Sequence, residues 1–285
     1  VENQDLTPWA RVSSATGMER LRDLWRHRAL VGVLVAREVK ARYRGSVLGF
    51  FWSLLNPLLM LAVYTLVFQL LLPNRSPSTS PYALFLFCGL LPWNWLSASI
   101  TDAASSLLTH GALLRKILFP AEVLPAVSVF AQGVHFLLAL PVLLAALVAG
   151  ALGAFGTRVP LGWPLVQVAG LLVLQALLLL GIGLFLAALT VHFRDVRDLL
   201  QTALSVLFFA TPILWTLHDL PKTRITRLLA LNPFAPLFSV WHDALFYGRF
   251  SPAGTWGAAA AVSVGAFVLG FAFFDRLRDS FPEAV

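Results

Sequence analysis

The sequence predicts an all-α integral membrane protein: six transmembrane helices, an N-terminal amphipathic interfacial helix, and re-entrant outer helices between the fifth and sixth spans. Of the 285 residues, 58% are hydrophobic and only 12% are charged. The mean hydropathy is +0.78, which is outside the usual range for soluble domains. Apolar segments long enough to cross a hydrocarbon core of about 30 Å recur along the chain. They are continuously apolar, which favours helices over the alternating pattern of barrel strands.

Residues 1–46 are expected to form a cytoplasmic segment that ends in an amphipathic helix. Four apolar side chains recur every fourth residue, while Arg37, Lys40 and Arg44 occupy another face, as in a helix with one apolar stripe. Such a helix is expected to lie in the membrane interface. The stripe consists of Val31, Val35, Val39 and Tyr43.

The end of this helix carries a basic cluster just before the first apolar segment. The cluster has two interpretations, which the sequence leaves open. Its cations are either a topology anchor or a binding site for the diphosphate headgroup of a lipid. The candidate headgroup residues are Lys40, Arg42, Tyr43 and Arg44.

Residues 47–275 are expected to form the membrane domain, followed by a cytoplasmic tail at 276–285. Prolines inside the apolar segments are expected to kink the helices without ending them. The stretch 233–247 is apolar, but it contains Asp243 and is short for a span, so we expect it to belong to the re-entrant part. The six predicted spans are about 47–72, 82–109, 123–153, 161–191, 199–217 and 255–274.

The distribution of Lys and Arg predicts the orientation. With the N-terminus inside, the inner segments hold 15 of these residues and the outer segments hold 6. The positive-inside rule therefore places both termini in the cytoplasm. The pI is near 10.3, but nine basic residues precede the first span. This placement favours anionic lipid headgroups as partners and argues against nucleic acid.

Several function classes are disfavoured by what the sequence contains. None of its three lysines follows a glycine, so a phosphate-binding P-loop is not expected. The apolar cores lack the charged residues of ion-coupled carriers, and Asp102 comes closest, near the inner end of the second span. No His or Cys pair has metal-ligand spacing. A membrane-embedded transferase remains an alternative, with only His218-Asp219 and His242-Asp243 as outer acid–base pairs.

Polar and aromatic residues within the spans have two interpretations each. Gln132 and His135 share one face of the third span, where they either bond to another helix or face a substrate. Aromatic rings near span ends either form an interfacial belt or line a path on which sugars pack. The candidate path aromatics are Trp52, Tyr64, Phe85, Phe87, Trp93, Phe208, Phe209 and Trp215.

Four ordered motifs resemble those of ABC-2-type permeases that export polysaccharides. They fall at the start of the first span, in the loop between spans two and three, in the loop between spans four and five, and around the fifth span and its outer return. They are RYRGSVLG at 42–49 with Trp52 and LNP at 55–57, LLRKILFP at 113–120 with EVLP at 122–125, FRDV at 193–196, and TPI at 211–213 with NP at 232–233.

This resemblance implies a half-transporter in the bacterial cytoplasmic membrane, in which two copies of the chain form the passage and two separate ATP-binding cassette subunits drive it. ATP and Mg²⁺ would bind to those subunits, and this chain would hold neither a cofactor nor a catalytic residue. The loop at 111–118 would be a coupling helix that docks on the ATPase; a plain positive loop is the alternative. Its candidate residues are Gly111, Leu113, Leu114, Arg115, Lys116, Ile117 and Leu118.

The resemblance also implies the substrate, an undecaprenyl-diphosphate-linked polysaccharide of the O-antigen type. The diphosphate would meet the basic cluster, and the sugars would pass the candidate aromatics. Teichoic acid or capsular polysaccharide is the nearest alternative, and a drug or lipid exporter is a more distant one. The uncharged span cores lean towards a neutral glycan, although Lys222, Arg224 and Arg227 on the outer side weaken that inference.

Overall fold

The computed structural model describes residues 27–46, 48–71, 77–111, 120–216, 221 and 223–281. Nine α-helices account for most of these residues, and the part of the chain that is described has no β-strand. The helices are α1 Arg28–Arg42, α2 Trp52–Thr65, α3 Tyr82–Thr109, α4 Val123–Ala151, α5 Gln167–His192, α6 Val196–Ala210, α7 Arg224–Ala230, α8 Ala235–Leu245 and α9 Ala253–Leu277.

Four helical segments are long and apolar enough to cross a bilayer, and they establish a multi-pass membrane protein. They are α3, α4, the segment Trp163–His192 that contains α5, and α9. A shorter apolar helix covers Trp52–Phe68, and its helical backbone continues as a π-helix over Leu66–Leu71. Six spans and a re-entrant pair remain predictions, because length and composition identify four segments.

The prolines within the apolar helices leave the helices continuous, as the sequence predicted. Pro57 lies inside α2, Pro92 inside α3 and Pro141 inside α4. The fifth predicted span behaves differently, because α6 ends at Ala210 and not near residue 217. Thr211 adopts an extended backbone (φ −95°, ψ 142°), which is the conformation that a following proline, here Pro212, imposes.

The centre of the molecule is α3. Of its most apolar stretch, 83% is buried, and it packs against α2, α4, α5, α6 and α8. A chain of hydrogen bonds crosses this core. The Gln175 amide nitrogen of α5 donates to the Pro92 carbonyl oxygen at 2.8 Å, and Trp241 of α8 donates to the Gln175 amide oxygen at 2.7 Å. These bonds satisfy polar groups that would be costly to bury alone.

Helices α5 and α9 approach so closely that their backbones touch. A Cβ atom on Gly270 of α9 would overlap the carbonyl oxygen of Gly181 in α5, and a Cβ atom on Gly181 would overlap the backbone of Ala266. Small residues permit this approach, as they do in many pairs of membrane helices. The contact fixes α9 against the rest of the bundle.

We predict that Gly270→Ala lowers the free energy of unfolding by about 3 kcal/mol, because the new methyl group must separate two backbones that have no side chain to move. The measurement is reversible unfolding in mixed micelles, followed by circular dichroism. Gly265→Ala on the same helix is the control. Its Cβ would meet nothing within 4 Å, so the higher helix propensity of alanine should leave stability equal or slightly higher. Equal stability of the two variants would contradict the close contact.

Candidate functional site at the end of α1

Helix α1 lies along α4, and its position confirms that it has one packing face. The stripe residues Val31, Val35, Val39 and Tyr43 are each half-buried, whereas Arg37, Lys40 and Arg44 are exposed. None of the residues of α1 is fully buried. The predicted stripe therefore coincides with the packing face, whereas the position of the helix in the membrane interface stays a prediction. The basic cluster stands at the end of a helix that is held by one face.

Arg42 joins α1 to two other helices. Its Nη1 donates to the Oε1 of Gln132 in α4 at 3.2 Å, and its Nη2 lies 3.4 Å from the Oδ2 of Asp102 in α3. The Gln132 amide nitrogen donates in turn to the same Asp102 oxygen. Three residues that are far apart in sequence thus form a closed ring of polar contacts.

Tyr43, the residue after Arg42, adds a second connection. Its partner His135 lies about one turn beyond Gln132 on α4. The Tyr43 hydroxyl lies 3.0 Å from the Nδ1 of His135, and the two rings meet edge to face with centroids 5.5 Å apart. The interpretation of Gln132 and His135 as bonding partners of another helix is confirmed. We refer to Arg42, Tyr43, Asp102, Gln132 and His135 as the Arg42 network.

The bonds in this network differ in strength. The side chains of Arg42 and Asp102 are 48% and 44% exposed, and an ion pair with this much exposure contributes little. Gln132 is only 5% exposed, and both atoms of its amide are used. Loss of its bonds would leave buried polar groups without partners. Gln132 therefore fixes the relative positions of the side chains in the Arg42 network, while the guanidinium of Arg42 remains accessible to an anion.

Three cavities border the Arg42 network, and the two larger ones contain candidate residues for binding. The α1 cavity has a volume of about 410 Å³ and lies between the end of α1 and helices α2, α3 and α4. The α6 cavity has a volume of about 650 Å³ and lies between α3 and α6. Both cavities are lined by Arg42, Asn94, Ala98 and Gln132. The network therefore forms part of the wall between them.

The α6 cavity brings Arg42 together with three of the candidate path aromatics. Trp93, Phe208 and Phe209 line this cavity, with ring centroids 5.5 Å apart for Trp93 and Phe208 and 5.2 Å apart for Phe208 and Phe209. Phe209 is 65% exposed. Guanidinium, carboxylate, amide and aromatic faces thus share one open space. Such a surface can hold an anion at one end and sugar rings along its length.

The other candidate aromatics lie elsewhere. Trp52 lines the α1 cavity, and half-buried Tyr64 packs near Phe68. Trp215 lies beyond the end of α6, where its indole nitrogen donates to the Phe209 carbonyl oxygen at 3.0 Å. Phe85 and Phe87 lie in the protein core with 1% and 0% exposure. These two rings contribute to packing and line neither cavity.

The candidate coupling residues fall mostly outside the described part of the chain. Gly111 is described and buried. The residues Leu113, Leu114, Arg115, Lys116, Ile117 and Leu118 lie outside the described residues, so their role in coupling stays a prediction. The described residues also contain no group of three His, Cys, Asp or Glu side chains that could hold a metal ion.

The structure adds two polar residues that sequence reasoning did not select. Asn94 lines both cavities, and Asn56 lines the α1 cavity. An asparagine inside an apolar helix is a signal for a polar contact within the membrane. Asn94 stands between Trp93 and Trp95, and the sequence interpretation considered only the aromatic rings at this position.

Comparison with known proteins identifies the family to which the chain is similar. A family model described as "ABC-2 type transporter" matches residues 29–246. The chain is 36% identical over 266 residues to the O-antigen export system permease protein RfbA of Myxococcus xanthus, covering 93% of this chain and 98% of the relative. It is 29% identical to the protein of the same name from Klebsiella pneumoniae, covering 89% and 94%. Identity to the polysialic acid transport protein KpsM of Escherichia coli is 23%, covering 87% and 93%.

We predict that Gln132→Leu combined with Tyr43→Phe loosens α1 without unfolding the bundle. The pair of changes removes the bonds of α1 to Gln132 and His135, each worth on the order of 1 kcal/mol. Amide hydrogen exchange within α1 should then accelerate about 30-fold, while exchange in α3 stays unchanged. Ser105→Ala is the control, because the Ser105 hydroxyl bonds only to carbonyl oxygens of its own helix. Unchanged exchange in α1 would show that the apolar stripe alone holds it.

Proposed function

The chain belongs to the ABC-2 type transporter family, and from this membership we propose that it is the membrane-spanning subunit of an exporter for lipid-linked polysaccharide of the O-antigen type. The observation that carries the proposal is the 36% identity to an O-antigen export permease over 98% of that relative's length. Similarity over nearly the whole of both chains extends to every helix described above. It supports a shared substrate class more strongly than a shared domain would.

The proposed energy source is ATP hydrolysis in a separate subunit. Two copies of the chain would assemble with two ATP-binding cassette subunits, which would hold ATP and Mg²⁺. The chain itself would be a transport permease and not an enzyme. The loop at 111–118 would dock on the ATPase through Leu113, Leu114 and Ile117, with Arg115 and Lys116 beside them, since an apolar patch with flanking charge suits a protein interface.

The Arg42 network supports a substrate with a diphosphate group. Among the described residues, the guanidinium of Arg42 donates to Gln132 and forms an ion pair with the half-exposed carboxylate of Asp102. Phosphate oxygens form stronger, bidentate bonds with arginine. We propose that the diphosphate replaces Asp102 as the partner of Arg42 and that exposed Lys40 and Arg44 add charge. Because Gln132 and Tyr43 still hold the end of α1, this exchange would not release the helix.

The sugars of the polymer would pass along the α6 cavity. Trp93, Phe208 and Phe209 line this cavity, and aromatic rings give weak, repeated contacts that a long chain can make and leave. In the proposed orientation both termini are cytoplasmic and the end of α1 lies near the inner face of the bacterial cytoplasmic membrane. The headgroup would then be bound on the side where the lipid-linked polymer is made.

Export of an acidic capsular polysaccharide is the second candidate. It is favoured by the similarity to the polysialic acid transport protein KpsM. That identity is 23%, against 36% for the O-antigen permease of Myxococcus xanthus. We therefore favour the O-antigen type of glycan.

We predict that Arg42→Ala combined with Arg44→Ala reduces surface polysaccharide at least about tenfold, because two charge-assisted hydrogen bonds to the headgroup are lost. The measurement compares surface and intracellular lipid-linked polysaccharide in a deletion strain complemented with each variant. The amount of membrane protein and its association with the ATPase should stay normal. Arg28→Ala at the opposite end of α1, about 20 Å away along the helix, is the control.

Two outcomes would contradict this prediction at different levels. Normal surface polysaccharide in the double variant would refute headgroup binding by these residues. Normal surface polysaccharide in the deletion strain itself would refute the proposed function.

We predict that Leu114→Asp combined with Ile117→Asp abolishes co-purification of the ATP-binding subunit, because two carboxylates would have to be desolvated in the apolar part of the interface. The measurement is the ratio of the two subunits after affinity purification in mild detergent. Leu231→Asp, at an exposed position after α7, is the control and should retain the ATPase. An unchanged ratio in the double variant would exclude this loop as the docking site.

A further inference from the structure

A separate cavity lies at the end of the molecule opposite to α1. It has a volume of about 550 Å³ and lies between the segment that follows α6, helix α8 and the beginning of α9. We call it the distal cavity. The residues that carry the argument below are Trp215, Thr216, Ser239, Asp243, Tyr247 and Arg249, all of which line it. The Arg42 network takes no part in it.

A fixed ion pair forms the polar wall of the distal cavity. The Oδ1 of Asp243 accepts a hydrogen bond from the Nε of Arg249 at 2.7 Å, and its Oδ2 accepts one from the Ser251 hydroxyl at 2.7 Å. The Asp243 side chain is 8% exposed, whereas that of Arg249 is 63% exposed. The guanidinium also lies 4.8 Å from the centre of the Tyr247 ring. The carboxylate is thus held in place, while the guanidinium keeps terminal donors in an open space.

The loop that carries this pair is held by buried bonds from Gln167. The Gln167 amide nitrogen donates to the Arg249 carbonyl oxygen at 2.9 Å, and its amide oxygen accepts from the Ser251 backbone nitrogen and the Trp256 indole, both at 3.0 Å. Gly248 has a φ of +56°, which glycine adopts without strain. The geometry of the cavity wall is therefore set before any ligand binds, which lowers the entropic cost of binding.

Trp215 supplies an apolar surface in the same cavity. Its indole nitrogen already donates to the Phe209 carbonyl oxygen at 3.0 Å, which fixes the ring and leaves its faces for packing. The hydroxyl oxygen of the neighbouring Thr216 is buried, so it does not face a ligand in the cavity. A ligand with polar groups beside an apolar face would match both the ion pair and the indole ring.

We propose that the distal cavity binds one neutral sugar unit of the exported polymer as it leaves the passage. Sugar hydroxyls both donate and accept, so they match the Asp243 carboxylate and the Arg249 guanidinium. The ring face of the sugar packs on Trp215. Because Asp243 balances Arg249, the described lining residues leave no uncompensated charge, which favours a neutral unit over an acidic one. The volume is in the range of small-molecule sites.

This inference rests on the proposed function, since it assumes that a glycan passes through the chain.

His242 also borders the distal cavity, but its ring nitrogens face the protein core. The Nδ1 lies 3.1 Å from the Phe238 carbonyl oxygen, and the Nε2 lies 3.2 Å from the Phe85 carbonyl oxygen. Both nitrogens therefore contact backbone atoms of the core and do not contact a ligand, although the His242 side chain lines the cavity. The adjacent pair His242-Asp243 thus faces one cavity, with Asp243 as the ligand-binding member.

The test is protection of a single cysteine introduced as Ser239→Cys. The background is Cys88→Ala, and the natural Cys88 is itself fully buried. Spheroplasts that synthesise the lipid-linked polysaccharide, and matched spheroplasts that do not, are treated from outside with a membrane-impermeant maleimide. We expect labelling to be about threefold slower in the cells that make the polymer. This is the rate expected if the glycan occupies about two-thirds of the sites and only unoccupied sites react. Ala154→Cys, exposed and outside the cavity, should label equally fast in both.

A second variant separates binding from folding. Adding Trp215→Leu to Ser239→Cys removes the aromatic face at a half-buried position beyond the end of α6. The amount of protein in the membrane should stay unchanged, whereas the affinity for the glycan should fall about fivefold and the protection with it. Unchanged protection in a variant of normal abundance would overturn the role of Trp215.

The remaining outcomes are also decisive. Equal labelling of Ser239→Cys with and without polymer, in cells that export normally, would overturn the sugar site while leaving the proposed function intact. Absence of labelling from outside, when Ala154→Cys labels, would overturn the placement of the cavity at the exit. If deletion of the chain leaves surface polysaccharide unchanged, the proposed function itself is refuted. This result is obtained by measuring surface polysaccharide in the same strains, independently of cysteine labelling.

Discussion

The structure depends on one constraint, which is that polar side chains among apolar helices must find their partners within the chain. This requirement connects α3 to its neighbours. Gln175 of α5 bonds to a carbonyl oxygen of α3 and to Trp241 of α8. Near the other end of α3, Asp102 and Gln132 receive Arg42 from α1. Apolar packing brings the helices together, and these few bonds specify which faces meet.

The same constraint links architecture to transport. Arg42 is needed to satisfy Gln132, yet its guanidinium also borders the α1 and α6 cavities. A residue that is held from one side and accessible from the other can bind an anion without first being organised, so less of the binding free energy is spent on ordering it. Asp102 prevents an unpaired cation when no anion is bound, and its exposure keeps this pairing weak enough to be replaced.

The sequence predicted the helices better than it predicted their faces. Long uncharged runs identify α3, α4, α5 and α9 because only apolar helices survive in a hydrocarbon layer. The stripe of α1 and the shared face of Gln132 and His135 followed from helical periodicity. Hydropathy does not distinguish a ring that faces lipid from one in the core, because both surroundings are apolar. Phe85 and Phe87 were selected as path residues for that reason, and the same limitation hid the cavity beside Asp243.

The backbone contact between Gly181 and Gly270 has a mechanical consequence. Two helices in direct carbonyl-to-backbone contact cannot slide past each other without separating, so α5 and α9 must travel as one rigid block during a transport cycle. Movement that widens a passage has to come from helices with fewer buried residues. Helix α6 fits that description, because Leu204 is its one buried residue, and it forms a wall of the α6 cavity.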